Sequence, residues 1–294
     1  MVFSKSISCS LAEGTGADLS LRVRIDGQDS NILNNVLSYA APVVIGFSGQ
    51  GAYQGDTSGQ QKVYIDGSNF GRTGLATSKI NEVTYGKKST PESDWYKATG
   101  CIVTLSHTRI ECTTTIGEGA DLQWSVVIDG QKSTTPTTNY APPRVTAVKT
   151  ITGVAVTSAS ADGGELVYLE GTNFGRSVEK VTFGPQGLQY VATDCTVVTL
   201  STKIKCTTPP GIGASLNFLV TVGGQVSPLS SATFSYAAPV VENVSSVQIN
   251  TEGQAIDFTG NNYGLKLRAL STQLNMGASV VLFSTASEKL TNGK

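Results

Sequence analysis

The sequence predicts an all-β protein of tandem sandwiches. Three observations carry that prediction: an internal repeat, strands alternating with period 2, and a composition rich in glycine and poor in charge. The repeat comes first, because self-similarity decides how every other segment is read. YAAPVV at Tyr39–Val44 returns as YAPPRV at Tyr140–Val145 and as YAAPVV at Tyr236–Val241. A glycine motif follows each copy: GSNFG at Gly67–Gly71, GTNFG at Gly171–Gly175 and GNNYG at Gly260–Gly264. Two copies then carry cysteines 11 residues apart, Cys101 with Cys112 and Cys195 with Cys206. Next comes a G-x-G (Gly117/Gly119, Gly211/Gly213), then an alternating strand ending in IDGQ at Ile128–Gln131 or VGGQ at Val222–Gln225. From second cysteine to glutamine is 19 residues in both copies.

The chain opens on the same half-pattern. Cys9 stands 19 residues before Gln28, with Gly14 and Gly16 at the G-x-G positions. Residues 1–40 therefore read as the C-terminal half of a repeat, and 41–140 and 141–237 as complete repeats. Residues 238–294 read as an N-terminal half that stops before any cysteine. The tyrosines of successive YA-P motifs lie 101 and 96 residues apart, which sets the period.

Within each period the strands are legible. KVYIDG (Lys62–Gly67), ELVYLEG (Glu165–Gly171), LSLRVRID (Leu19–Asp26), WSVVID (Trp124–Asp129) and LNFLVTV (Leu216–Val222) alternate apolar with polar residues. They are rich in β-branched and aromatic side chains and bounded by Gly, Asn, Asp and Ser, as half-buried strands are. No stretch sustains a 3.6-residue stripe. Roughly seven strands per repeat, with turn signals at regular intervals, predict an immunoglobulin-like β-sandwich.

Composition narrows function by exclusion. Charged residues are 15% of the chain, below the ~25% of ordinary soluble domains. A net charge of −1 supplies no long-range field for phosphate backbones. The basic pieces, Lys87–Lys88 and Arg22/Arg24, are sparse and offset by neighbouring acids, so no nucleic-acid partner is expected. No apolar run approaches the ~20 residues of a membrane span, so no membrane insertion is expected. Residues 1–30 lack the charged start and apolar core of a secretory signal. His107 is the single histidine, which leaves catalytic triads and histidine-rich metal sites without material. Asp26, Asp66, Asp129 and Glu170 sit at strand ends beside glycine, where turn formation explains them. No catalytic residue, metal or cofactor is predicted.

The GxNFG motif has a mechanical reading. Its glycines allow positive φ and close backbone approach, its asparagine can bond local backbone, and its aromatic plugs the end of the core. A phosphate-cradling loop is the alternative, but that needs a following helix, and none is legible. The G-x-G reads in the same way, as a turn feeding a strand.

The ordered succession of P-x-V, GGELVYLEGTNFG (Gly163–Gly175), KVTFG (Lys180–Gly184), CTVVTLSTKIKCTTPPG (Cys195–Gly211) and a closing strand resembles the IPT/TIG family of immunoglobulin-like domains. The resemblance covers nearly the whole chain. It departs from the pattern at an insertion around Gly86–Gly100 carrying Pro91, Trp95 and Tyr96, and again at Leu265–Gly277. It implies a fold used in receptor ectodomains, in surface and starch-associated proteins, and in the dimerising part of some transcription factors. Fold alone does not choose among these roles.

Cysteines flanking a tight hairpin face each other, so Cys101–Cys112 and Cys195–Cys206 are expected as disulfides, each worth roughly 2–3 kcal/mol on the loop-entropy model. Free thiols in a reducing cytosol are the competing reading; zinc is disfavoured because no C-x2-C spacing occurs. Disulfides imply an extracellular or cell-surface location. Cys9 aligns with the second cysteine of each pair and is expected to be unpaired or inter-subunit. Asn243, in NVS, offers the glycosylation acceptor sequence.

A half-sandwich buries too little to stand alone and leaves strand edges open. Two arrangements answer this. Either identical chains join head-to-tail, each completing a split domain of the next, or the sequence is a window of a longer array. The expected function is a structural subunit of an extracellular filament or stalk. The alternative is an adhesion or carbohydrate-binding segment of a surface repeat protein, with glycans met by Trp95, Tyr96 and Tyr53. The competing role for those aromatics is packing between domains.

Overall fold

The structure, a computed structural model, describes residues 6–74, 79–133, 136–244 and 258–263. Period-2 alternation converts directly into two-layered sheets. In the repeat that follows Tyr39, one sheet runs in the order Thr99–Leu105, Arg109–Thr113, Lys62–Ser68, Val43–Ser48. The facing sheet runs Tyr53–Gly55, Thr137–Tyr140, Leu122–Ile128, Ile80–Lys87, Tyr96–Lys97, with Gln131–Lys132 folded back on Leu122–Ile128. The next repeat sets Arg144–Lys149, Leu166–Thr172, Lys203–Thr207 and Thr193–Thr199 opposite Tyr190–Val191, Lys180–Gly184, Leu216–Val222 and Gln225–Val226. Thr233–Phe234 pairs onto Leu216–Val222.

Alternation decides what each sheet buries. Along Leu216–Val222 the residues Leu216, Phe218, Val220 and Val222 point inward and their neighbours do not. They meet Val167, Leu169, Ile204 and Cys206 from the other sheet. The two repeats place an aromatic pair at the same register. Trp124 stacks on its cross-strand partner Tyr85 with ring centroids 4.3 Å apart, and Phe218 stacks on Phe183 at 5.0 Å. Such pairs add about 0.5–1.5 kcal/mol beyond the area they bury. The indole N–H of Trp124 is satisfied by the Thr138 hydroxyl at 2.7 Å.

The structure forms Cys101–Cys112 and Cys195–Cys206 as disulfides between neighbouring strands, in place of the free-thiol alternative. Cys112 and Cys206 are fully buried, so each bridge pins an outer strand to the core. Cys9 is free and exposed.

GxN(F/Y)G acts mechanically in all three copies. Asn69, Asn173 and Asn262 take φ of 64°, 61° and 63°. Their side-chain amides donate to the carbonyls of Ala41, Pro142 and Ala238 at 2.9, 3.3 and 3.1 Å, tying the loop to the YA-P linker. The leading glycine lets the strand of the linker lie against it. A Cβ on Gly171 would stand 1.9 Å from the Arg144 carbonyl oxygen.

Among the described residues the flanking segments contain the same strands without an opposite sheet. Leu19–Leu21 pairs Leu33–Leu37, Arg24–Ile25 pairs Gln28–Asp29, and Val240–Val244 pairs Phe258–Asn261. Ile25 is 61% exposed where its counterpart Ile128 is 1%, and Leu21 is 39% exposed where Trp124 is 1%. Val241 is 57% exposed where Val44 is 6%. These are core positions left uncovered among the described residues. The expected half-domain at 238–294 is described only in part, and its departure at Leu265–Gly277 lies outside the described residues.

Gly171→Ala is expected to destabilise its sandwich by about 3 kcal/mol or more, since backbone rather than a flexible side chain must move. The shift of the urea midpoint relative to wild type measures it.

Candidate functional site

A recurring joint between repeats is built around the tyrosine of each YA-P motif. The hydroxyls of Tyr39, Tyr140 and Tyr236 donate to the carbonyls of Ala12, Thr115 and Pro209, each at 2.6 Å. Each ring covers the first glycine of its own G-x-G, where a Cβ on Gly14, Gly117 or Gly211 would meet the ring at 2.6–2.8 Å. The tyrosine amides donate to Gly16, Gly119 and Gly213, each at 2.9 Å. Ring, hydroxyl and amide thus close the tyrosine's own repeat, and the carbonyl, met on Tyr140 by the Asn139 side-chain amide at 3.4 Å, stays open to the next one.

The glutamine of the xGQ turn takes that carbonyl. Gln131 Nε2 reaches back to Tyr39 O at 2.9 Å, and Gln225 Nε2 reaches Tyr140 O at 3.1 Å. Beside each hydrogen bond the second glycine of G-x-G receives the turn itself. A Cβ on Gly16 would lie 3.4 Å from that of Asp129. At the other joint the approach is tighter: a Cβ on Gly223 would lie 2.6 Å from the Gly119 amide nitrogen. This explains why the turn reads IDGQ at one joint and VGGQ at the other.

The middle residue of G-x-G sets the polar contacts. Thr15 donates its hydroxyl to Asp129, which also pairs with Lys79 at 2.9 Å. Partial burial works against the charged form of Asp129, but the Thr15 hydroxyl and Lys79 ammonium outweigh it and hold its carboxyl below the usual range. That contribution is present above the unfolded carboxylate pKa and is lost as pH falls through the depressed value. At the next joint Glu118 accepts the Ser177 hydroxyl at 2.7 Å and the backbone amide of Arg176. Thr57 adds its amide to the Asn173 side-chain oxygen at 3.3 Å.

Two of the three aromatics weighed between glycan contact and packing turn inward. Trp95 lies against Gly86, and its indole N–H donates to the carbonyls of Lys87 and Thr90 at 3.1 and 3.2 Å. Tyr96 packs with Tyr85 and Tyr140, and its hydroxyl both donates to the Glu118 carbonyl and accepts the Glu118 amide. Tyr190 does the same for Ile212 in the next repeat. An aromatic in this place closes the open end of the sandwich and props the joint loop. Tyr53 alone of the three presents its ring to solvent, at 58% exposure. It stands on the same repeat as a cleft of about 390 Å³ beside the joint, lined by Lys87, Lys88, Asp121, Gly223, Gly224 and Gln225.

The remaining residues singled out by sequence lie apart. Asn243 is exposed on Val240–Val244. Asp66 pairs with Arg109 at 2.6 Å, and Glu170 with Lys149 and Lys203 at 2.6 and 3.0 Å. Asp26 is exposed at a turn. His107 occupies the left-handed corner of a hairpin, φ 63°, as Ser201 does at φ 61° in the next copy. Gln131, Gln225 and Glu118 had no role assigned from sequence. The constant spacing from cysteine to glutamine is the signal for the two glutamines, whereas Glu118, matched by Thr15 and Ile212 in the other copies, has none.

Burial raises the phenolic pKa of Tyr140, with the neighbouring Tyr85 adding to the shift, and burial raises that of Tyr236, helped by Tyr190. Because the folded protein keeps these protons, its stability holds below about pH 10, the unfolded phenol value, and falls as pH rises above it. Spectrophotometric titration is expected to show these two tyrosines ionising only with unfolding, and Tyr140→Phe to remove part of the alkaline loss.

No curated protein matches the sequence. Among solved structures, SGBP-B from a xyloglucan utilization locus of Bacteroides uniformis is 16% identical with a TM-score of 0.26, covering 73% of this chain and 60% of its own. The surface glycan-binding protein PbSGBP-B of Prevotella bryantii is 13% identical with a TM-score of 0.40, covering 67% and 43%. The Escherichia coli adhesin FdeC is 14% identical with a TM-score of 0.25, covering 76% and 75%. The chain thus spans less than two thirds of the length of the first two. The IPT/TIG domain profile matches residues 50–141 and 150–236, the stretches that carry both described sandwiches and more than half of the sequence. The chain belongs to the IPT/TIG domain family.

Proposed function

We propose that the chain is a non-catalytic structural segment of an extracellular filament or stalk. Its sandwiches stack in series through the tyrosine–glutamine joint, and its two half-sandwiches complete one another between successive identical chains, head-to-tail. The observation that carries this reading is the joint formed twice with the same parts, Gln131 on Tyr39 and Gln225 on Tyr140. A contact repeated in register along a chain builds a rod. The exposed core positions Leu21, Ile25 and Val241 support the completion step, since each has a buried counterpart in a full sandwich. Such contacts are heterologous and grow open filaments when they do not close into rings. Two disulfides support an oxidising location.

Sandwiches of roughly 30–40 Å each, three per unit, give an axial repeat of about 100 Å. Sedimentation and negative-stain microscopy of the purified chain are expected to show concentration-dependent growth of rods with that repeat. Compact monomers that persist at every concentration sink the reading.

The second reading, an adhesion or carbohydrate-binding segment, is favoured by the exposed ring of Tyr53 and by the lysine-lined cleft at the joint. Rings on open surfaces stack on sugar faces, and free ammonium groups attract acidic saccharides. A glycan array is expected to give signals that Tyr53→Ala abolishes; equal signals from wild type and variant remove this reading.

A further inference from the structure

We infer that the end face of the second full sandwich, formed by Tyr236 O, Ile212 and Gly213, is a docking site for the turn Ile25–Gln28 of a second copy of this chain. The inference rests on the head-to-tail reading above and names the contact that sets its register.

Both halves of the contact are present and already shaped. In the two formed joints the receiving half is a tyrosine carbonyl beside a glycine at φ 104° (Gly16) or 105° (Gly119). Gly213 holds φ 113° beside Tyr236, and the Tyr236 amide donates to Gly213 O at 2.9 Å just as in the other two. Among the described residues no side chain donates to Tyr236 O, and a Cβ on Gly213 would meet only its own Leu216. Gly213 is exposed and Ile212 half-exposed.

The inserting half is as well formed. Asp26 and Gly27 take φ of 48° and 80°, against 46° and 79° for Asp129 and Gly130 in the docked turn. The hairpin is closed by the pair Ile25↔Gln28, as Ile128↔Gln131 closes the docked one. Gln28 is exposed, and its side chain takes no partner among the described residues. A preformed turn meeting a preformed acceptor loses little conformational freedom on docking.

Chain order makes a second copy the fitting occupant. In each formed joint the glutamine comes from the second half of the repeat whose first half follows the tyrosine directly. After Tyr236 that first half is Val240–Val244 with Phe258–Asn261, and Asn262 already ties it to the Ala238 carbonyl. The matching second half, with its glutamine in place, is residues 9–40, whose own core positions Leu21 and Ile25 are uncovered. One copy's Gln28 then rests on the other's Tyr236 O, while the exposed apolar faces of the two half-sandwiches close on each other. Ile212 stands where Thr15 and Glu118 stand in the formed joints. This third joint therefore lacks their polar anchor and relies on the glutamine and on apolar contact.

Cysteine pairing tests the contact. In a Cys9→Ser background, an Ile212→Cys chain is mixed with an Asp26→Cys chain under mild oxidant. The internal control is one chain carrying Thr15→Cys and Asp129→Cys, the same two positions in a formed joint. The expected result is a control that closes within the chain and a mixture that yields disulfide-linked heterodimer. Adding Gln28→Ala to the Asp26→Cys partner is expected to lower heterodimer yield about fivefold, the loss of one net hydrogen bond. A control that closes beside a mixture that stays uncoupled overturns the docking site, and a control that fails to close overturns the joint on which it is built. Sedimentation of the same mixtures separates the two levels. Chains that associate without cross-linking leave the filament reading standing and remove this contact, whereas chains that never associate remove both.

Discussion

The hydrogen-bonding of one tyrosine per repeat couples the interior of a sandwich to its neighbour. The hydroxyl of Tyr140 holds the Thr115 carbonyl, its ring covers Gly117, and its amide holds Gly119. With three of its groups committed to its own repeat, its carbonyl has a set direction, and Gln225 finds it there. A flexible linker would leave that acceptor to water. Here the end of one fold is the receptor for the next, and the relative placement of repeats follows from how each one closes.

The same economy explains the glycine content. Gly16 and Gly119 are needed because they hold φ of 104° and 105°, a backbone that L side chains rarely adopt, and Gly171 because the Arg144 carbonyl lies against it. Positive φ at Asn69 and Asn173 turns the chain so that the side-chain amide can bond the linker. Part of what reads in composition as loop material is a set of close backbone approaches, as at Gly171 and Gly223. Charge is scarce for a related reason: the joint is made of uncharged donors and carbonyls, with a carboxylate added where the G-x-G or turn sequence has room for one, as at Glu118 and Asp129.

The strands, their inward faces, the cysteine pairs and the repeat were all legible in the sequence. Each is a local pattern that one segment carries alone, as Leu216–Val222 does by strict alternation. Trp95 and Tyr96 are not legible in the same way, because an aromatic in an insertion looks the same whether it faces solvent or folds back. Trp95 is held by the carbonyls of Lys87 and Thr90 within the insertion itself, whereas the Glu118 amide that holds Tyr96 lies 22 residues further along the chain. Gln131 and Gln225 stood out by spacing, yet their acceptor lies 92 and 85 residues away.

By itself the sequence determined the fold class and the strands that build it, because alternation and turn chemistry act over a few positions. Only the tertiary structure decided what the YA-P tyrosine and the xGQ glutamine are for. A backbone carbonyl is present at every residue, and nothing in the letters marks Tyr39 and Tyr140 as the ones left outward-facing. That choice is made when ring, hydroxyl and amide are all satisfied inside one sandwich, which requires the sandwich to exist.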